Sequence, residues 1–287
     1  MTESTMPMSG KCVLITGGNS GIGLVTAKVL AASGARVLIA GRDSAKTDAA
    51  LALINEAAAI ACTHLTVDLT SLASVDHLID EASSIAPSID VLINNAGCFP
   101  MKGGLTRDGF EQQFGVNHLA HMKLTLGLMP QLRAAPAARV ITVASMLHKQ
   151  GSIDPASFTD ISKYKAQAAY NQSKLANVLF SLALSRRLSG SSVTSNVLHP
   201  GGVRTDIVRD LPWIVRKLIG LIFISPEKGA ETTIMLASDP GLEGVSGRYY
   251  DQCKLKAPAE SAIDEHLQET LWQQSLELLH LDEPDWG

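Results

Sequence analysis

The stretch Cys12–Gly23 reads CVLITGGNSGIG. A short apolar run, Cys12–Thr16, breaks into a glycine-rich turn, and a helical pattern starts at Ser20. A strand feeding a glycine turn and then a helix is the opening of a βαβ unit. Outward from it, further apolar runs recur at Val37–Ala40, Leu65–Val67, Val91–Ile93, Val140–Val143 and Val193–Leu198. Each is short and nearly continuous, as parallel strands covered on both faces should be. Helical patterns fall between them, starting near Ser20, Ser44, Ser71, Thr106 and Ala166. The alternation predicts an α/β Rossmann fold, a doubly wound parallel sheet of about seven strands with helices on both faces. The seventh strand is expected at Gly247–Cys253 (GRYYDQC), after a helix from Pro226 to Ser238, and Ala259–His280 reads as a closing helix. With no repeat or Pro/Gly linker, residues 1–287 are expected to form one domain, with 1–9 flexible, about 203–225 a substrate lid and 259–287 a helical tail.

Glycines at a strand-to-helix turn admit a pyrophosphate, and the helix N-terminal N–H groups attract its charge. The candidate contacts are Gly17, Asn19, Ser20, Gly21, Ile22 and Gly23, with Ile22, Val25 and Val29 expected on one helix face. The end of strand two separates the two common dinucleotides. A carboxylate there, roughly 20 residues past the glycines, would bind the ribose 2′-OH of NAD(H). Gly41 and Arg42 stand there instead, and an arginine pairs with a 2′-phosphate, so NADP(H) is expected over NAD(H). Asp68 and Leu69, after strand three, read as adenine contacts, with helix capping by Asp68 the alternative. Asn94, Asn95, Ala96 and Gly97 end strand four as a tie between central strands and a nucleotide ribose.

Tyr170 and Lys174 are one helical turn apart and share a face. A neighbouring ammonium and an oxidised nicotinamide would both favour phenolate and lower the tyrosine pKa, allowing proton exchange with a substrate oxygen. Tyr164, with Ala168 at its +4 position, is the poorer candidate. Ser145 ends strand five at the carboxyl edge, where ligands bind open α/β sheets. Asn117 lies on a helical stripe with Phe110, Phe114, His121, Leu124 and Leu128. An amide there needs buried partners. Two readings stand: it interrupts the helix to hold a water and a lysine, or it is a structural polar plug. His121 reads as a hydrogen-bonded core histidine.

Composition bounds the rest. The 287 residues are 46% hydrophobic and 18% charged with a net charge of −4, which offers no basic face for nucleic acid. Cys12, Cys62, Cys98 and Cys253 are scattered, so single thiols in a reducing cytoplasm are expected and no metal site. The opening MTESTMPMSGK lacks a secretory pattern, and no integral membrane segment is expected. The apolar run Leu175–Leu184 allows a homodimer.

Together TGGNSGIG, NNAG, Asn117, Ser145, the Tyr170/Lys174 pair and HPGGVRT (His199–Thr205) resemble the short-chain dehydrogenase/reductase family, closest to its retinol dehydrogenase-like members. The resemblance implies a tetrad of Asn117, Ser145, Tyr170 and Lys174. Tyr170 is then the acid/base and Ser145 orients the carbonyl. Lys174 binds the nicotinamide ribose, and Asn117 supports a relay water. It also implies cofactor contacts from Pro200, Gly201, Val203 and Thr205. The expected substrate is an apolar carbonyl or alcohol, in a pocket lined by Cys98, Phe99, Met146, Leu147, His148 and the Leu211–Ile224 segment with Trp213. His148 reads either as a polar substrate contact or as an exposed loop histidine. Two alternatives keep the fold: an epimerase or dehydratase using a transient ketone, and a non-catalytic NADP(H)-sensing protein.

Overall fold

The computed structural model describes residues 6–202 and 225–286. Eight strands form one sheet in the order β3-β2-β1-β4-β5-β6-β7-β8. They are β1 Cys12–Thr16, β2 Arg36–Gly41, β3 Thr63–Thr66, β4 Val91–Asn94, β5 Ala138–Val143, β6 Val193–His199, β7 Tyr249–Asp251 and β8 Lys254–Lys256. Seven run parallel, and β8 pairs antiparallel with β7. The expected seventh strand is therefore a hairpin: Gly247–Cys253 supplies β7 and the turn, and β8 lies beyond it. Lys254 and Lys256 hid β8, because an exposed edge strand carries charges where a buried one carries apolar side chains. Strand three begins two residues earlier than expected, since its register is set by pairing Leu38 with Thr63 and Gly41 with Thr66.

The central strands β1, β4 and β5 are apolar because helices cover both faces. Leu14 pairs with Leu38 on one side and Leu92 on the other, all fully buried. The flanking helices are α1 Gly21–Ala32, α2 Ala45–Asn55, α3 Leu72–Ile85, α4 Ala120–Gly127, α5 Ala166–Arg187, α6 Pro226–Ser238 and α7 Glu265–Leu279. Ser44 and Ser71 cap α2 and α3, accepting from the N–H groups of Thr47 and Ser74. Helix α1 does not bury the expected Val29, which is 38% exposed; it turns Ile22, Gly23, Thr26, Ala27 and Leu30 inward. Small side chains let α1 approach both the sheet and α6.

No helix starts at Thr106. That segment is a turn closed by a Leu105–Glu111 bridge, and helix begins only at Gln112. Glu111 caps it with both carboxylate oxygens, taking the N–H groups of Gln113 and Phe114 at 2.8 Å each. A π-helical turn, Gly115–Leu119, leads into α4. The run Leu175–Leu184 is buried, apart from the partly buried Leu182, in the cluster that holds Phe158, Trp272 and Leu276. Among the described residues no helix is long and apolar enough to cross a membrane.

Candidate active site

Strand order reverses between β1 and β4, and their carboxyl ends open a crevice there. Thr16, the last residue of β1, is its hub. Its hydroxyl accepts the N–H groups of Asn95 at 2.9 Å and Ala96 at 3.0 Å. It lies 2.9 Å from His121 Nε2, while His121 Nδ1 lies 3.1 Å from the Asn117 carbonyl. A carbonyl only accepts, so Nδ1 carries the proton and Thr16 donates to Nε2. Burial holds the His121 pKa down to about 4, so the ring is the expected neutral core histidine. The Asn95 side chain donates to the Thr16 carbonyl at 2.7 Å, and Asn94 donates to Thr125 at 2.9 Å. Both amides thus tie β4 to its neighbours.

The glycine turn closes on itself. Gly17 has φ +67°, a conformation that disfavours side chains. A Cβ on Gly23 would meet the Gly17 carbonyl at 2.3 Å, so only glycine lets α1 begin this close to β1. Ser20 takes the extended N-cap conformation, yet its side chain makes no cap hydrogen bond. The first amides of α1 therefore keep their capacity for an anion.

The rim beyond β2 is looser. Arg42 is exposed, and its carbonyl accepts from the Thr47 hydroxyl at 2.8 Å. Asn19 donates to the same hydroxyl at 2.9 Å. Asp68 is not a helix cap, since Ser71 fills that role; its Oδ1 closes a turn on Thr70 and its Oδ2 pairs with Arg107 at 3.2 Å. Burial raises the Asp68 pKa, but the Thr70 hydrogen bonds and the charges of Arg107 and Arg42 outweigh it and leave the carboxyl lowered. Leu69 packs partly buried against the core beneath.

The structure brings Asn117, Ser145, Tyr170 and Lys174 together. Tyr170 and Lys174 lie on α5, with the Lys174 ammonium 5.6 Å from the Tyr170 ring centre. Lys174 Nζ donates to the Val143 carbonyl at 3.1 Å, joined there by Asn177 at 3.2 Å. Ser145 follows β5 by two residues, and its hydroxyl acts to lower the pKa of the Tyr170 phenol. Asn117 sits within the π-helical turn. Its Oδ1 accepts from the Cys98 N–H at 2.8 Å, and its amide donates to the Cys98 carbonyl at 3.2 Å and to Ser173 at 3.0 Å. Each reading of Asn117 is half visible: the helix is interrupted, and the side chain is committed to protein groups. A Cβ on Gly97 would lie 3.3 Å from Asn117 Oδ1 and 3.6 Å from Lys174 Nζ, so this glycine keeps the space before the ammonium open.

Charge at the site differs from the sequence expectation. Burial pushes the Tyr170 pKa up to about 12, opposed by the Ser145 hydroxyl. Burial also brings Lys174 down to about 8, and raises the neighbouring Cys98 thiol to about 12. The chain's own groups therefore do not acidify the phenol; desolvation exceeds the help of its neighbours.

On the substrate side, Phe99 meets Tyr170 edge to face with centroids 5.1 Å apart. Met146 is 57% exposed beside the site, with Leu147 half-buried. His148 is neither a substrate contact nor an exposed loop histidine: it is fully buried, with both ring nitrogens on backbone groups. Tyr164 is structural, donating to the Pro100 carbonyl and accepting from Gln113. Pro200 and Gly201 follow β6 at the same sheet edge, while Val203, Thr205, Trp213 and the Leu211–Ile224 segment lie outside the described residues. Sequence reasoning passed over Thr16, Ser173 and Asn177; a buried polar residue at a strand end or on an apolar helix face was the signal available.

The family model for short chain dehydrogenases matches residues 11–212. Retinol dehydrogenase 14 of Homo sapiens is 42% identical over 285 residues, covering 92% of this chain and 85% of that one. Polyprenol dehydrogenase of Mus musculus is 40% identical over 283 residues, covering 95% and 84%. Among solved structures, an uncharacterised protein of Mycobacterium paratuberculosis superposes with a TM-score of 0.79 at 34% identity over 96% of each chain. The RhlG/NADP active-site complex of Pseudomonas aeruginosa has a TM-score of 0.70 at 24% identity, covering 92% of this chain and 99% of that one, a likeness of fold alone. The match across the glycine turn, the central strands and α5 means that this chain belongs to the short-chain dehydrogenase family of oxidoreductases.

Proposed function

We propose that the protein is an NADP(H)-dependent oxidoreductase acting on the carbonyl or alcohol of an apolar small molecule, a retinoid- or polyprenol-like compound being the first choice. The observation that carries this is the buried Ser145–Tyr170–Lys174 group at the carboxyl edge of β5, beside the crevice between β1 and β4. The substrate class follows the names of the relatives, retinol and polyprenol dehydrogenases, and the apolar Phe99 against the Tyr170 ring, with Met146 and Leu147 next in the chain after Ser145. Those names also favour net oxidation or reduction over the epimerase reading.

A nicotinamide, when bound, would supply or accept the hydride. The residues do the rest. In reduction, Tyr170 donates its hydroxyl proton to the substrate oxygen as negative charge develops there; in oxidation it takes that proton back. Ser145 gives the same oxygen a second hydrogen bond. Lys174 spends one of its three donors on Val143, and the others serve a ribose. Asn117, committed to Cys98 and Ser173, positions the Gly97 edge of the crevice. Arg42 selects the 2′-phosphate, supported by its exposed place beyond β2 and by the absence of a carboxylate at Gly41.

The test is turnover of retinal and long-chain polyprenyl aldehydes with NADPH and with NADH, followed by nicotinamide absorbance. NADPH-dependent reduction lost in Tyr170→Phe is the expected result. Binding of NADPH with no turnover on any carbonyl, or equal turnover in the variant, would refute the assignment.

A further inference from the structure

We propose that His148 is a positioning residue for Ser145, locking the backbone of the serine so that its hydroxyl keeps its place at the carboxyl edge of β5. The inference rests on the reading of Ser145 as the second donor to the substrate oxygen. The β5–β6 ladder ends just before the serine: Ala144 N–H still donates to Leu198 at 2.8 Å, and the sheet holds nothing further along. Ser145 must be fixed by other means. It stands at the head of the 3-10 turn Met146–Gln150, where its hydroxyl accepts from the Leu147 N–H at 3.2 Å.

His148 closes that turn twice on one atom. Its backbone N–H donates to the Ser145 carbonyl at 3.1 Å, and its ring Nδ1 lies 2.6 Å from the same oxygen. Since a carbonyl only accepts, Nδ1 carries the proton and Nε2 is a bare acceptor. Nε2 takes the Ala259 N–H at 3.0 Å, which brings in the segment leading to α7. One neutral tautomer satisfies both contacts. The ring is fully buried and lies against Tyr249 with centroids 5.0 Å apart, so it has no room to turn. Two donors on the Ser145 carbonyl fix the peptide plane that follows the serine and so the direction of Cα–Cβ, and the Leu147 N–H then holds Oγ. The segment before α7 thus reaches the reacting atoms through a single imidazole.

Two substitutions separate this role from simple anchoring of the C-terminal segment. The amide of His148→Asn reaches the Nδ1 position and restores the donor to Ser145 while losing Ala259. The longer His148→Gln places its oxygen near Nε2, keeping Ala259 and losing Ser145. Positioning predicts kcat within about threefold of the parent for H148N and at least about tenfold lower for H148Q, the scale expected when a catalytic group is displaced by a fraction of an ångström. NADPH affinity should stay within about twofold in both, because the ring bonds only backbone groups of Ser145 and Ala259. Combining H148Q with Ser145→Ala should add almost nothing to the loss of S145A alone. The reverse order of the two kcat values, or equal losses that track Tm, would overturn the inference. If S145A itself turns over at the parent rate, the role given to Ser145 fails instead, so the two failures are distinguishable.

Discussion

Tyr170, Ser145 and Lys174 are buried, the last two bonded to backbone groups, whereas Arg42, at the other end of the crevice, is exposed. Lys174 is held by β5 and Ser145 by the turn that follows it, while the partners of Arg42 and Asp68 lie within a few residues or on solvent-facing loops. The buried end carries the cost of desolvation, visible in a tyrosine raised to about 12 and a lysine lowered to about 8. At the rim, hydrogen bonds and nearby charges outweigh that cost for Asp68, and there is little rigidity. On the proposed reading, chemistry is kept where water is excluded and charges act strongly, and cofactor choice is left to a side chain that can adjust to a phosphate.

That contrast is open to attack at both ends. The largest effect is expected for Tyr170→Phe, which removes the proton donor but little volume: turnover should fall at least about a hundredfold while NADPH affinity, read by fluorescence titration, barely changes. Lys174→Met should abolish most turnover and yet raise Tm at neutral pH, by about 1–3 kcal/mol of stability, since it removes a buried charge. The sign follows from linkage. The unfolded lysine holds its proton to about 10.5 and the folded one to about 8. The penalty is therefore complete below pH 8 and fades between pH 8 and 10.5, so the Tm advantage of K174M should shrink over that window. A constant advantage across it would mean that the lysine is not buried as a cation.

Thr16→Val keeps the shape but strands the N–H groups of Asn95 and Ala96 and the acceptor His121 Nε2. It should cost about 2 kcal/mol, measured by urea unfolding, with a rise in NADPH Kd. At the rim, Arg42→Asp should weaken NADPH about tenfold more than NADH, and the difference should diminish in high salt. Arg107→Ala, which breaks an exposed pair with Asp68, should move Tm by no more than about 1 °C. A larger shift than that of Thr16→Val would erase the distinction between the two regions.

The fold was legible from Cys12–Gly23 outward because buried parallel strands must be apolar and their turns must carry glycine. Six strands and the glycine turn came directly from that rule. The hairpin at Lys254–Lys256 was not legible, because an edge strand obeys no such rule, and Thr106 looked helical because its stripe reaches Phe110 before the true cap at Glu111. Within the site, Tyr170/Lys174 and Ser145 were legible as spacing and strand-end position. The charge state of Tyr170 was not: spacing names the neighbours, but burial decides which effect is larger.

His148 shows the same limit most clearly. In sequence it is a polar residue after a strand, in a position where loops and substrate contacts are equally at home. The covering segment that buries it, at Ala259, lies 111 positions further on. Sequence alone determined which residue types stand at the carboxyl ends of the strands, since periodicity and turn chemistry are local. Only the folded chain decided which of them are dry, which tautomers they hold and which carbonyls they pin, because desolvation and hydrogen bonding depend on atoms brought from far along the chain.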